Sequence, residues 1–200
     1  MKKFAVLFAI LGLASTATAE GDAVKGQQAA TACAACHGAD GNTPLAPNYP
    51  KLSGQRANYA EKQLHDFKSG ERDNAVMAGQ VANLSDEDMA NIAAFYASLE
   101  PQFAAVPAKY IEQGERLYRA GDKATGIPAC AACHGPKGRG LDSAAFAALG
   151  GQSPQYTIEQ LKAFRDGTRA NDANRMMRDI AAKLSDEQME ALAYYMVGLH

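Results

Sequence analysis

The chain reads Cys33-Ala34-Ala35-Cys36-His37 and, later, Cys130-Ala131-Ala132-Cys133-His134. These two pentads use all four cysteines, and the identity between them extends from Ala32 to Gly38 and from Ala129 to Gly135. C-x-x-C-H is the attachment pattern of c-type haem. Two thiols at that spacing each form a thioether to one vinyl group of a single porphyrin. The adjoining histidine is then held beneath the ring, where its imidazole reaches the iron. The pattern predicts two covalently bound haem c groups, one on Cys33, Cys36 and His37, the other on Cys130, Cys133 and His134. Other uses of paired cysteines fit less well. A thioredoxin-like pair belongs to a strand–helix context that the surrounding sequence lacks. Zinc pairs usually lie about 12–20 residues apart, whereas 97 residues separate Cys33 from Cys130. Two disulfides would suit an exported chain but would not require a histidine after each second cysteine.

The duplication runs well beyond the pentads. Tyr59, Gln63, Leu64, Phe67 and Gly70 recur as Tyr156, Gln160, Leu161, Phe164 and Gly167, at the same offset of 97. Leu52-Ser53-Gly54-Gln55 is answered by Leu149-Gly150-Gly151-Gln152. A three-residue insertion follows, after which Leu84-Ser85-Asp86-Glu87 matches Leu184-Ser185-Asp186-Glu187 at an offset of 100. The second copy also carries extra loop residues, Gly121 to Pro128, ahead of its pentad. One fold is written twice. The expected organisation is a first domain over 20–100, a linker over 101–109 bracketed by Pro101 and Pro107, and a second domain over 110–200.

Each copy reads as helices joined by loops, an all-α pattern without alternating strands. Helical leads over Asp22–Cys33 and Ala108–Ala120 enter the pentads, and Tyr59–Lys68 and Tyr156–Arg165 place aromatic and aliphatic residues on one helical face. The last helix of each copy starts at an N-cap serine, Ser85 or Ser185, with Asp88 or the better-suited Gln188 in the capping-box position. Met89, Ile92, Phe95, Tyr96 and Leu99 form an apolar stripe, repeated by Met189, Leu192, Tyr195, Met196 and Leu199.

The start of the chain has its own signature. Basic Lys2-Lys3, an apolar run from Phe4 to Leu13 and an Ala17-Thr18-Ala19 cleavage pattern describe a signal peptide, 1–19. Its apolar run is too short for a bilayer, which needs about 20 residues. The implied compartment is a bacterial periplasm. Without Lys2 and Lys3 the chain keeps 18 basic and 22 acidic side chains, a formal charge of −4. No basic stripe is evident, so nucleic acid is not an expected partner.

The second face of each iron decides between carrier and enzyme. A methionine thioether opposite histidine closes the iron and raises its reduction potential, which suits electron transfer, whereas an open face permits peroxide or gas chemistry. Six methionines follow the initiator. Met89, Met189 and Met196 have core spacing. Met77 lies in a loop-like stretch, Gly70–Asn83, and Met177 stands opposite it in the repeat, so that both copies contain Asn-x-x-Met. Met77 and Met177 are the expected sixth ligands. Met176 competes for the second iron but faces Val76 in the first copy. His65 and His200 have no repeat partners and read as surface residues. Arg72, Arg139 and Arg169 read as solvated, while Tyr59 and Tyr156 are equally suited to the core or to haem propionates. The chain resembles the cytochromes c in these pentads, and that resemblance implies a backbone carbonyl, often at a proline, that orients the histidine. Pro50 is the candidate for His37, its counterpart is Ala147, and the loss of proline makes the support of His134 less secure.

These motifs, together with Gly41-Asn42, Asn48 to Gln55, Arg175-Met176-Met177-Arg178 and Ala181 to Ser185, make the chain from about Asp22 to His200 resemble the dihaem cytochrome c4 family. The resemblance implies an all-α fold of two tandem class I cytochrome c domains related by a pseudo-twofold axis, with neighbouring haem edges at the interface. It also implies a monomeric periplasmic carrier, loosely associated with the membrane surface. Such a protein passes electrons from a quinol-oxidising complex (quinol–cytochrome c reductase) toward a terminal oxidase. The rival reading is a dihaem enzyme of peroxidase or thiosulfate-oxidising type. Each half is small and rich in alanine and glycine, so a buried haem must supply much of its apolar core. Protein produced without haem is therefore expected to lose most of its helical circular dichroism and its cooperative melting. Near-native helicity in that apoprotein would contradict this.

Overall fold

A computed structural model describes residues 21–200, and the expected signal segment lies outside the described residues. In the first half, α1 (Ala23–Ala29) begins at Asp22, whose carboxylate accepts from the N–H groups of Val24 and Lys25. This bonding is what makes aspartate a good N-cap. The pentad forms a single turn, α2 (Ala34–His37), followed by α3 (Ala57–Ser69), α4 (Ala75–Val81) and α5 (Asp86–Ser98). The second half repeats the order as α6 (Ala108–Ala120), α7 (Ala131–His134), α8 (Pro154–Asp166), α9 (Met176–Ala181) and α10 (Asp186–Met196). Among the described residues the only strand-like pairings are two isolated bridges, Asp122 with Ile127 and Leu141 with Phe146. The fold is all-α.

Met77 departs from expectation. It lies on α4 rather than in a loop, because the Asn74 side chain caps the helix by accepting from the Met77 N–H at 2.9 Å. So short a helix has room for one buried residue, Val81, and leaves no periodic apolar pattern to read. Both capping boxes form, and Asp88 serves as well as Gln188.

In each half the first long helix packs on the last, α1 on α5 and α6 on α10, while α3 and α8 close over the same terminal helices. Met89, Ile92 and Tyr96 are buried, as are Met189, Leu192, Tyr195, Met196 and Leu199. The second core is the more complete and includes Leu117, Tyr118, Leu161 and Phe164. Its counterpart leaves Leu52, Leu64, Leu84, Phe95 and Leu99 only partly covered. Residues 101–107 carry no helix and strap the halves together. Gln102 N–H donates to Asn42 Oδ1 in the first half, and Ala104 N–H to the Val197 carbonyl in the second, each at 2.9 Å. Repeat-equivalent Gly54 and Gly151 flank this strap. A Cβ would lie 2.8 Å from Pro101 Cδ at the first and 2.6 Å from the Gln102 carbonyl at the second.

The close crossing of first and last helices depends on a glycine in each copy. A Cβ on Gly26 would stand 1.9 Å from the Asn91 carbonyl oxygen, and one on Gly114 would stand 2.4 Å from Tyr195 Cβ. Gly26→Ala and Gly114→Ala are each expected to destabilise the holoprotein by about 1–3 kcal/mol or more through overpacking. Thermal unfolding measures this, and an unchanged midpoint in both variants would refute the contact.

Candidate haem sites and the interface between them

Each pentad histidine is the last residue of a single helical turn and needs outside support. His37 donates from Nδ1 to the Pro50 carbonyl at 2.9 Å, and His134 from Nδ1 to the Ala147 carbonyl at 2.9 Å. Ala147 thus serves as well as Pro50, because the acceptor is backbone and the loop reaches the same place without proline. Burial pushes the pKa of both imidazoles below the usual histidine range, only partly offset by these carbonyls. The neutral tautomer that results keeps its proton on Nδ1 and offers a lone pair at Nε2. That is the form a metal-ligating histidine requires.

The donor set fits a haem in each half. None of the four cysteines is tied up in a disulfide. Cys130 and Met177 pack on the same core cluster, which brings an attachment residue and an expected axial sulfur to one apolar surface. Met176 points outward, 39% exposed. Met77 is partly buried on α4, and the incompletely covered leucines of the first half form the apolar cradle beside Cys33. His65 and His200 lie at the surface, His65 beside Glu61 and Asp86.

The arginines correct the sequence reading. Arg139 is exposed, but Arg72 and Arg169 are buried between the halves. Arg72 donates to Gln63 in its own half and to Tyr156 and Gln160 across the interface. Arg169 donates to Gln160 in its own half and to Tyr59 and Gln63 across it. Each guanidinium also lies over a phenylalanine ring of its own half, Arg72 on Phe67 at 4.6 Å and Arg169 on Phe164 at 4.4 Å. Burial would raise the Tyr59 phenol, but the neighbouring Arg169 and Arg72 charges outweigh it and bring it below the usual tyrosine range. Arginine alone in a sequence reads as solvated. The available signal was that these two recur at the pentad offset.

The three-residue insertion has work at this interface. Asn171 donates to Gln63 and Asp66 of the first half, where Asp66 also pairs with Lys62. Asp172 accepts from the Arg178 N–H at 3.0 Å and from Arg178 Nε at 2.7 Å, bracing α9, which carries Met177.

Comparison with known proteins gives a consistent result. The family model for cytochrome c matches residues 23–100 and 111–200. A cytochrome c4 of Pseudomonas aeruginosa is 49% identical over 195 residues, covering 97% of this chain and 96% of that protein. The crystal structure of reduced recombinant cytochrome c4 from Pseudomonas stutzeri superposes with a TM-score of 0.86 at 45% identity, covering 90% of this chain and 100% of that one. A Stutzerimonas stutzeri protein named thiosulfate dehydrogenase electron acceptor is 45% identical over 174 residues, covering 86% of this chain and 80% of its own.

The Asp172 brace carries a pH dependence. Its burial raises the carboxyl, but the bonds from Arg178 prevail and hold it below the usual carboxylate range. A lowered folded value means that the stabilisation is fully present above about pH 4, the ordinary aspartate range, and is lost as pH falls through the lowered value. Asp172→Asn should therefore cost about 1.5 kcal/mol at neutral pH, with the gap to the parent closing in acid. Melting curves of the two holoproteins across that range measure it, and a gap independent of pH would overturn it.

Proposed function

The chain belongs to the cytochrome c family as a dihaem cytochrome c4 with two covalent haem c groups, and from this we propose that it is a periplasmic electron relay with both irons closed by histidine and methionine. Cys33 and Cys36 tether the first haem and Cys130 and Cys133 the second. His37 and Met77 would ligate one iron, and His134 and Met177 the other. The haems supply one-electron ferrous–ferric cycling. The residues hold the two imidazoles as oriented neutral donors, cover one face of each porphyrin with apolar side chains and bring the halves together across a buried polar seam. The single observation that carries this reading is the matched pair of Nδ1–carbonyl bonds, because they prepare both histidines identically for a metal at Nε2. Packing of the partly buried Met177 against the core that Cys130 also touches, with Met176 exposed, supports Met177 as the second sulfur ligand.

Domains over 20–100 and 110–200, joined by 101–109 and preceded by a signal segment, complete the proposal. The electron source is a quinol–cytochrome c reductase and the sink a terminal oxidase, with loose docking at the membrane surface and a monomeric state. The carrier catalyses no reaction of its own, a reading supported by a repeat-matched methionine for each iron. The relative named as the electron acceptor of a thiosulfate dehydrogenase favours a second donor, a thiosulfate-oxidising enzyme, for the same carrier.

Mass spectrometry of the exported protein should find two haems. Met177→Ala should abolish the second domain's share of the near-infrared sulfur-to-iron band of the ferric protein and lower that haem's potential, whereas Met176→Ala should leave both unchanged. The reverse pattern would move the ligand to Met176, and a high-spin resting iron would favour an enzyme. Reduction rates with purified quinol–cytochrome c reductase and thiosulfate dehydrogenase decide between the donors.

A further inference from the structure

The two histidine-bearing carbonyls belong to peptide groups whose N–H ends cross the domain interface. The Pro50 carbonyl accepts from His37, and the N–H of that same peptide group, on Lys51, donates to Gln152 Oε1 at 2.9 Å. Gln152 completes the pair by donating from Nε2 to the Lys51 carbonyl at 2.9 Å. The other half is arranged alike. The Ala147 carbonyl accepts from His134, while the Ala148 N–H donates to Gln55 Oε1 at 2.7 Å and Gln55 Nε2 donates to the Ala148 carbonyl at 3.1 Å. Gln55 and Gln152 are repeat equivalents, each only 9% exposed. Their amide orientation is forced, since a backbone N–H can only donate and a carbonyl only accept. Each amide oxygen is also anchored at home, by the Arg56 N–H for Gln55 and the Ser153 N–H for Gln152.

We propose that Gln152 tunes the first haem and Gln55 the second, each acting across the interface through one peptide group onto the axial histidine of the other domain. The physical basis is cooperative polarisation. A peptide group that gives its N–H to an acceptor concentrates negative charge on its own oxygen, which then accepts more strongly. The Pro50 and Ala147 carbonyls so polarised pull harder on the Nδ1 protons, give the imidazoles more anionic character and make Nε2 a stronger donor to iron. A more electron-rich iron favours the ferric state and a lower potential. These glutamines are positioning residues, and the idea rests on His37 and His134 being the axial ligands proposed above.

The test uses the full-length holoprotein with Gln152→Leu and Gln55→Leu made separately, with Gln152→Asn and Gln55→Asn as milder shortenings should either leucine variant fail to mature. Spectroelectrochemical titration reads each haem's potential, and proton NMR reads the Nδ1–H resonance of each axial histidine. Gln152→Leu should raise the first haem's potential and move the His37 resonance, leaving the second haem in place. The equilibrium for sharing one electron between the haems should shift roughly two- to tenfold toward the first. Gln55→Leu should do the reverse. Asn58→Ala is the control, because it removes the interdomain bond from Asn58 Nδ2 to the Asp142 carbonyl without touching either peptide group. It should move neither potential. Equal shifts at both haems, a shift confined to the substituted residue's own domain, or unmoved potentials with a normal low-spin spectrum would overturn the proposal. A parent spectrum lacking histidine ligation would instead sink the ligand assignment itself.

Discussion

A bond from an imidazole to a backbone carbonyl thirteen residues further on governs each half of this molecule. The pentad helices are single turns, too short to hold a side chain in a fixed direction by themselves. The loop that returns to each histidine must therefore be shaped with care, and its far end is what the opposite domain grips. Attachment, ligand orientation and domain docking converge on the same few residues. The buried arginines serve the same convergence from the other side, since each satisfies amide and phenol oxygens contributed by both halves.

Much of this was legible in the sequence because the signals are local or periodic. The pentads, the serine caps and the apolar stripes of α5 and α10 lie within a few turns of the residues that explain them, and the repeat shows itself as a constant offset. Helix α6 runs over Ala108–Ala120 as its pattern predicts. Helix α4 escaped notice since its determinant is one asparagine cap on a helix of seven residues, too short to show a period. The roles of Arg72 and Arg169 were hidden for a different reason. Their cross-interface partners lie 84 to 110 positions away, and nothing local distinguishes a guanidinium that will be buried from one that stays in water. Likewise, Ala147 looked weaker than Pro50 only because residue identity is visible in a sequence, whereas backbone position is not.

The two copies are not mirror images in chemistry. The inserted residues give the second half an arm onto Asp66, whose repeat counterpart is Ala163. Asn74 caps α4 from its side chain, while Asn174 and Arg175 take left-handed backbone angles ahead of α9. The second core is better filled than the first. The copies share one scaffold, and they differ where the halves touch, where the methionine-bearing helices begin and in the extra loop ahead of the second pentad.

The strap at 101–107 deserves a last consequence. It is bonded to both halves and lies against the paired glycines Gly54 and Gly151, so the covalent joint is itself a piece of the packing. A swing of one half against the other must first break those strap bonds. The connection between the domains therefore adds its own bonds to the buried polar seam, and the two act together against separation of the halves.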